Sequence, residues 1–215
     1  TARVDGAAQP ITSPPAVIRY PERQTMVLFG TGKYLHQGDI ADSTVQSFYG
    51  IFDKHAGITR SDLARRDLIR TSLSIDGNTQ KVRTSNGDSF DAAKYAGWYV
   101  DLPAPGERIV QAPQVRGRTV FVNTQTPDAD PCDNGGESWL MAFGLDGTTP
   151  DQPVWAKLED SFVGIQVRGG KVSEASIIGS DAFMPRWDGK LWKERVETGR
   201  AQGQLGRQSW QELYE

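Results

Sequence analysis

The chain has 215 residues, a formal net charge of −3 and 37% hydrophobic residues, with 23 glycines and 12 prolines. Its 24 basic and 27 acidic side chains are interspersed, so it lacks the clustered basic face of a nucleic-acid-binding protein. No segment approaches the roughly 18 apolar residues of a transmembrane helix. Residues 1–15 also lack the basic and apolar regions of a signal peptide. We therefore expect no nucleic-acid partner and no membrane span.

Short runs of β-branched and aromatic residues recur along the chain, bounded by Gly, Pro, Asn and Asp, and predict many short strands. The predicted strands are Ile11–Ile18, Thr25–Gly30, Ser47–Phe52, Trp98–Leu102, Arg108–Val115, Thr119–Asn123, Ser138–Phe143 and Lys171–Ile178. Ser61–Arg66 begins with cap-forming residues and is predicted as a short helical turn, as is Asp91–Tyr95. Ser85–Asp88 contains Asn-Gly and is predicted as a tight turn. The predicted fold class is all-β with short helical turns.

An internal repeat relates Gln9–Lys54 to Glu107–Gly147. Each unit consists of a proline-bearing strand, a short turn, an apolar strand, a long loop and an aromatic strand that ends at Asp. Such a unit cannot bury both faces of its small sheet alone, whereas radial stacking of several units can, as in a β-propeller. We therefore predict one partial C-terminal propeller domain over residues 1–215, with successive blade-containing segments 1–54, 55–147 and 148–215. A β-sandwich of the same strands is the alternative.

Several segments, in order, resemble the C-terminal domain of the PilY/PilC family of type IV pilus tip adhesins. They are Val27–Leu35, Gln46–Ile51, Arg60–Leu63, Gly97–Arg108, Asp130–Met141 and Gly206–Leu213. This resemblance implies a seven-bladed, quinoprotein-type propeller of which the chain holds only the last blades. It further implies that Thr1 begins partway into the domain and that Glu215 is the natural C-terminus.

The resemblance also implies a function in which catalysis has no part. Members of the family are exported proteins with a variable N-terminal adhesive region, and they lie at the pilus tip on minor pilins. They support pilus assembly, surface attachment and the control of retraction. The implied partners are minor pilins, the N-terminal adhesive domain of the same protein, and a host or abiotic surface. The implied location is extracellular, at the pilus tip or outer cell surface after export through the periplasm.

A calcium-binding loop, rich in Asp at alternate positions, occurs in the family, but no stretch of this chain has its full pattern. Asp128, Asp130 and Asp133 form the best cation candidate, because alternating carboxylates can converge on one Ca²⁺ ion. Pro131 stiffens this segment and the last carboxylate of a calcium loop has no clear equivalent, so an exposed acidic loop is favoured. We expect no metal and no cofactor in this segment, although calcium is possible elsewhere in the parent protein. Cys132 is the single cysteine, and whether it forms a disulfide with a cysteine outside this segment stays open.

Enzymatic alternatives find little support in the residues. His36 and His55 both lie among polar residues and are predicted to be solvated loop side chains. Gly30–Lys33 lacks the spacing of a phosphate-binding loop. Quinone-cofactor dehydrogenases also have Trp-rich propellers, but their cofactor funnel, metal and Asp base cannot be assembled from this sequence. We expect no catalytic residues and no enzymatic activity.

Six tryptophans raise the alternative of a glycan-binding propeller. Aromatic side chains in blades more often fill the core, where each buries roughly 150–250 Å². Trp139 lies on an alternating strand and is predicted to be a core residue. Trp187 and Trp192 flank a predicted turn, Asp188-Gly189-Lys190, and for these two the choice between core and surface stays open.

Two loops are longer than blade turns require, Gly32–Gln46 and Thr126–Glu137. They occupy the same place in the repeat, so we expect them on one face of the propeller, where loops on a rigid scaffold commonly bind partners. Their acidic residues are the predicted partner-binding residues: Asp39, Asp42, Asp128, Asp130, Asp133 and Glu137. The alternative is that the loops only shield sheet edges.

Overall fold

The fold is that of a computed structural model, which describes residues 2–4, 6–20, 24–54, 57–86, 90–128 and 136–198. It is almost entirely β, as the sequence predicts. The strands in these residues are β1 (Ala2–Val4), β2 (Ala7–Gln9), β3 (Ala16–Tyr20), β4 (Gln24–Gly30), β5 (Ser47–Phe52), β6 (Ala64–Ile75), β7 (Asn78–Asn86), β8 (Gly97–Asp101), β9 (Gln114–Arg116), β10 (Thr119–Pro127), β11 (Gly136–Gly144), β12 (Gly164–Val167), β13 (Ser176–Ile178), β14 (Asp181–Pro185) and β15 (Leu191–Arg195). Short 3-10 turns lie at Gln37–Ala41 and Arg60–Asp62.

The two repeat units form two antiparallel blades. The first blade has the order β3-β4-β5-β8, and the second has the order β9-β10-β11-β12. Strands β13, β14 and β15 form a separate third sheet. The expected segment boundary at residue 54 does not coincide with the end of the first blade. That blade is completed by β8 (Gly97–Asp101), which pairs with β5 after a long insertion.

The insertion contains the β6–β7 hairpin, which the sequence did not predict. β6 pairs in parallel with β8, while β7 pairs with β12 of the second blade, so the hairpin joins the two blades into one ten-stranded sheet. The turn between its strands is Asp76-Gly77, with positive φ angles of 48° and 74°. These angles suit the two-residue turn that matches the twist of a hairpin, and Asp-Gly is a preferred sequence for it.

The helical prediction at Ser61–Arg66 was wrong for its second half. The 3-10 turn ends at Asp62, and Ala64–Arg66 are the first residues of β6. Ala64 and Arg66 are buried and Arg65 is exposed, which is the alternation of a strand. The turn at Asp91–Tyr95 is confirmed by the hydrogen bond from Tyr95 N to Asp91 O, 3.0 Å long. The turn predicted at Ser85–Asp88 lies partly outside the described residues.

Three predicted strands are shorter than expected, and two of them begin only after a proline. β3 starts at Ala16, after Pro14 and Pro15, and β9 starts at Gln114, after Pro113. Proline has no N–H to donate to a neighbouring strand, so pairing begins beyond it. The third, predicted at Lys171–Ile178, has strand structure only from Ser176.

The main core lies between the first and second blades. Trp98 and Trp139 are both 0% exposed there, beside Phe48 and Phe143. The ring centroids of Phe48 and Phe143 are 5.6 Å apart, and Trp98 donates from Nε1 to Leu145 O at 2.9 Å. A Cβ atom at Gly50 would lie 2.5 Å from the Trp98 ring, so this seam requires glycine at position 50. The prediction that Trp139 is a core residue is confirmed.

A second core packs the outer face of the second blade against the third sheet. Its members include Phe121, Leu140 and Ile165 from the blade, and Ala182 and Met184 from the third sheet. The sheets therefore stack face to face in chain order, as expected for propeller blades. In the part of the chain that the structure describes, no helix has the length and apolar character needed to cross a membrane.

A buried ion pair fixes the hairpin to the segment that connects the two blades. Arg83 of β7 and Glu107 have side chains that are 1% and 0% exposed, and two bonds of 2.6 and 2.9 Å join them. The Thr124 hydroxyl also donates to the Glu107 carboxylate, and Ala104 N lies 3.3 Å from it. The guanidinium carbon of Arg83 is 3.9 Å from the Trp139 ring centroid. Hairpin, connector and second blade thus meet at one charged contact.

Replacing Trp139 with alanine tests the seam between the blades. We expect Trp139→Ala to lower the free energy of unfolding by about 3–5 kcal/mol, because it empties a large core site. Trp187→Ala is the matched control: that side chain is 53% exposed, and we expect a change of about 0.5 kcal/mol or less. Denaturant unfolding gives both values, and equal effects of the two substitutions would contradict the core assignment.

Removing one charge of the buried pair should lower the stability of the fold more than removing both charges. Arg83→Met leaves the Glu107 carboxylate buried without its cation, which should cost about 3–5 kcal/mol in stability. Adding Glu107→Gln should recover part of this loss, because an amide needs no counter-charge and still accepts from Thr124. A double variant no more stable than Arg83→Met, measured in the same denaturant series, would argue against charge burial as the cause.

Candidate functional site

The two long loops leave the blades at the same end of the structure. Thr31, directly after β4, accepts a hydrogen bond from Ile109 N at 2.9 Å. Gln125, near the end of β10, exchanges two backbone hydrogen bonds of 2.9 Å with Arg108. Residues 108–109 therefore lie between the ends of β4 and β10. The β4–β5 loop and the β10–β11 loop begin on either side of this segment.

Arg108 anchors the first loop through hydrogen bonds to its backbone carbonyls. Its Nη1 donates to Lys33 O at 2.8 Å and to Asp39 O at 2.6 Å, and its Nη2 donates to Asp42 O at 2.7 Å. Nε donates to Gly106 O at 2.8 Å. The side chain is buried, and this desolvation lowers the pKa of the guanidinium. One cation thus fixes the loop at three points between residues 33 and 42.

Asp39 stabilises the same loop from inside. It is 1% exposed, and its Oδ2 accepts from Leu35 N at 2.9 Å and from His36 N at 3.2 Å. Lys33 Nζ lies 2.9 Å from its Oδ1. The bond from Leu35 N, and then the contact with Lys33, lower the pKa of Asp39 to about 2. This internal role was not expected, and it leaves little of Asp39 for a partner to contact.

Some side chains of the first loop are accessible to solvent. Leu35 is 77% exposed and Val45 is also exposed. Asp42 is half-buried and accepts from the amide and hydroxyl of Thr44 at 3.0 and 2.7 Å. The Thr44 hydroxyl is the main cause of a lowered pKa at Asp42. The loop therefore presents an exposed apolar side chain, Leu35, and a half-buried carboxylate, Asp42, that is ionised at neutral pH.

The predicted residues of the second loop are only partly described. Asp128 is exposed, while Asp130, Cys132 and Asp133 lie outside the described residues. Glu137 is the second residue of β11, not a loop residue, and its carboxylate lies 3.2 Å from Arg70 Nη2 and 3.6 Å from Lys81 Nζ. Glu137 thus links the second blade to the hairpin. The expectation that Asp128, Asp130 and Asp133 form an exposed acidic loop without a metal stays a prediction, because Asp130 and Asp133 lie outside the described residues.

The remaining candidates occupy structural positions. His36 is exposed, and its Nδ1 accepts from Gly38 N at 3.0 Å at the start of the 3-10 turn. His55 lies outside the described residues. Among the residues that the structure describes, no group of three or more His, Cys, Asp or Glu side chains could hold a metal ion.

Comparison with known proteins shows similarity to one family. The PilY1 beta-propeller domain family matches residues 1–86. Type IV pilus biogenesis factor PilY1 of Pseudomonas aeruginosa is 31% identical over 167 residues, which are 67% of this chain and 14% of that protein. The chain resembles the C-terminal β-propeller domain of the PilY1 family. A PilY1 homolog of Xylella fastidiosa is 32% identical over 152 residues, 66% of this chain and 12% of that protein.

The fold agrees with this family likeness. The crystal structure of the Pseudomonas aeruginosa PilY1 C-terminal domain superposes with a TM-score of 0.75 and 22% sequence identity. The match covers 93% of this chain and 47% of that one, and it confirms the propeller fold over the sandwich. The chain spans 10–15% of the length of the curated relatives it matches.

The buried carboxylate of Asp39 should make the first loop sensitive to acid. Its pKa of about 2 in the folded chain lies below the value of about 3.9 for a free Asp side chain. The stabilisation is therefore complete above about pH 4 and is lost as the pH falls towards about 2. The protection of the Leu35 and His36 amides from hydrogen exchange, relative to the intrinsic rate at each pH, should fall over this range and should be low and independent of pH in Asp39→Asn. A midpoint near pH 4 would show that the carboxylate is solvated.

Proposed function

We propose that the chain is a structural and interaction module, without catalytic activity, of a type IV pilus biogenesis factor. The observation that supports this proposal is the similarity of PilY1 proteins, which are named as such factors, to two thirds of this chain. The shared fold supports it as well. The parent protein acts outside the cell, at the pilus tip or outer surface, and supports pilus assembly. Adhesion to host or abiotic surfaces and control of retraction belong to the same proposal.

The partner-binding face is the end of the two blades that carries both long loops. Arg108 and Asp39 fix the first loop internally, so its tip is ordered before any partner arrives. A preordered loop loses less conformational entropy on binding, which favours affinity. Leu35 offers an exposed apolar contact, and Asp42 of the same loop and Asp128 of the second loop add carboxylates. Minor pilins at the pilus tip are the proposed partners, with the N-terminal adhesive domain of the same protein as a further one.

Substitutions on this face test the proposal. Leu35→Ser combined with Asp128→Lys should weaken binding of the chain to recombinant minor pilins by about tenfold or more, the loss of roughly 1.4 kcal/mol of contact energy. Leu191→Ser with Asp151→Lys is the control pair, because both residues are exposed elsewhere on the surface. Asp39 is left unchanged, since its substitution would disturb the loop itself.

The same substitutions in the parent gene should reduce surface piliation, while the control pair leaves it unchanged. Thermal melts establish that both double variants are folded. Unchanged pilin affinity in the loop variant, or equal losses in the control, would remove this face from the proposed function.

A further inference from the structure

A cleft of about 240 Å³ lies where the tip of the β6–β7 hairpin, residues 155–158 and β15 meet. It is separate from the loop face described above. Its polar and aromatic lining includes Asn78, Gln80, Lys157, Arg168, Trp192 and Glu194. Its apolar lining includes Ile75, Leu158 and Ile165.

Glu194 is the most enclosed charge in this cleft. Its side chain is only 11% exposed, and the nearest cation is Lys157 Nζ at 3.6 Å. Burial raises the pKa of this carboxyl. Lys157 itself is two-thirds exposed and therefore provides a weak, solvent-screened partner. Hydrogen-bond donors of a ligand that enters the cleft would stabilise this carboxylate.

Trp192 lies on the same side of β15 as Glu194. Exposed and half-buried residues alternate along β15: Leu191, Lys193 and Arg195 are exposed, and the residues between them are half-buried. Trp192 and Glu194 therefore share the inward face of the strand. Trp192 packs on the second core and also lines the cleft. An aromatic surface and a carboxylate thus stand side by side at one wall.

Polar groups of the hairpin and of Arg168, directly after β12, also line the cleft. Gln80 donates from Nε2 to Lys81 O at 3.1 Å and to Gln166 O at 3.0 Å, which fixes the orientation of its amide. Arg168 uses Nη2 to bind Thr79 O at 3.0 Å. The cleft therefore combines polar groups, some of them held by backbone carbonyls, with the aromatic side chains of Trp155 and Trp192.

We propose that this cleft binds a saccharide. A sugar ring has an apolar face of C–H groups, which suits Trp192, and an edge of hydroxyls that both donate and accept. A purely apolar ligand would strip water from Glu194 and Arg168 without replacing their hydrogen bonds. The lining carries both signs of charge, Asp76 and Glu194 beside Lys157, Arg168 and Lys193, so a small ion of one sign would meet like charges as well as opposite ones. The volume lies below the roughly 300–1,000 Å³ of sites for drug-sized ligands, so one sugar unit at a time is accommodated.

The structure also separates the two tryptophans that the sequence grouped together. Trp187 is 53% exposed, and its Nε1 donates to Gly169 O at 3.0 Å. It does not line the cleft, whereas Trp192 does. Trp187→Ala is therefore a matched control for Trp192→Ala on the same sheet region.

The 215-residue chain can be screened against immobilised oligosaccharides in two arms, neutral hexose and N-acetylhexosamine chains in one and uronic-acid chains in the other. The best member of each arm is then titrated by calorimetry. We expect binding in at least one arm, and the arm shows whether a neutral or an acidic sugar supplies the ring. Trp192→Ala should weaken it by about tenfold, as for an aromatic contact at the centre of a site. Glu194→Gln should also weaken it, while Trp187→Ala and the exposed Glu159→Gln should leave it unchanged.

Glu194→Gln keeps the shape of its side chain, so it tests the cleft even where Trp192→Ala fails to fold in a melt. No binding at millimolar sugar in either arm overturns the proposal. Binding that is insensitive to Glu194→Gln, or that falls equally in the control variants, overturns it as well. None of these outcomes bears on pilin binding, because the loop face and the cleft share no residue.

Discussion

Arg83 and Glu107 are taken fully out of water at the point where the hairpin, the inter-blade connector and the second blade meet. Desolvating two charges costs several kcal/mol per ion, which only close geometry and further hydrogen bonds can offset. The geometry of the paired bonds is close, the Thr124 hydroxyl adds a hydrogen bond to the carboxylate, and the Trp139 ring lies beneath the guanidinium. Arg83 Nε is buried without a hydrogen-bond partner among the described residues, so the cost is offset only in part. Because a misplaced hairpin would leave either charge buried alone, the pair favours one register of the ten-stranded sheet over its alternatives.

The repeat keeps the position of this contact but changes its chemistry. Gln9 holds the place in the first unit that Glu107 holds in the second, two residues before an isoleucine. Its amide donates to Ser47 Oγ at 2.9 Å and accepts from Tyr49 OH at 2.6 Å, so no buried cation is needed. The cation of the first blade, Arg60, instead pairs with Asp101 through two bonds of 2.8 Å at a partly exposed site. The fully buried pair occurs where the hairpin is inserted.

Local patterns predicted the blades, and long-range pairing decided what they missed. β5 was predicted at its observed bounds, and Trp139 as a core residue, because the apolar runs there are bounded by clear turn signals. β6 is rich in polar residues because most of its length is exposed, so it lacks the apolar pattern of a strand. Its parallel pairing with β8 joins residues that are distant in the sequence, which no local pattern reports. The Asp76-Gly77 turn was a usable signal for the hairpin. The carboxylate of Asp39 is held by local bonds from Leu35 N and His36 N, so its place three residues after His36 was a usable capping signal. The bond from Arg108 to the Asp39 carbonyl spans 69 residues and had no local signal.

Both candidate binding regions lie where the chain departs from the minimal blade. The first loop is longer than a blade turn, and Arg108 orders it by donating to carbonyls alone, so the conformation depends on the backbone more than on the exposed side chains. Exposed positions such as Leu35 can therefore change without loss of the loop, which is how a rigid scaffold accommodates different partners. The cleft has the opposite character. Its walls come from the hairpin, β12 and β15, and its carboxylate is enclosed, so its chemistry is fixed by the same packing that holds the third sheet on the second blade.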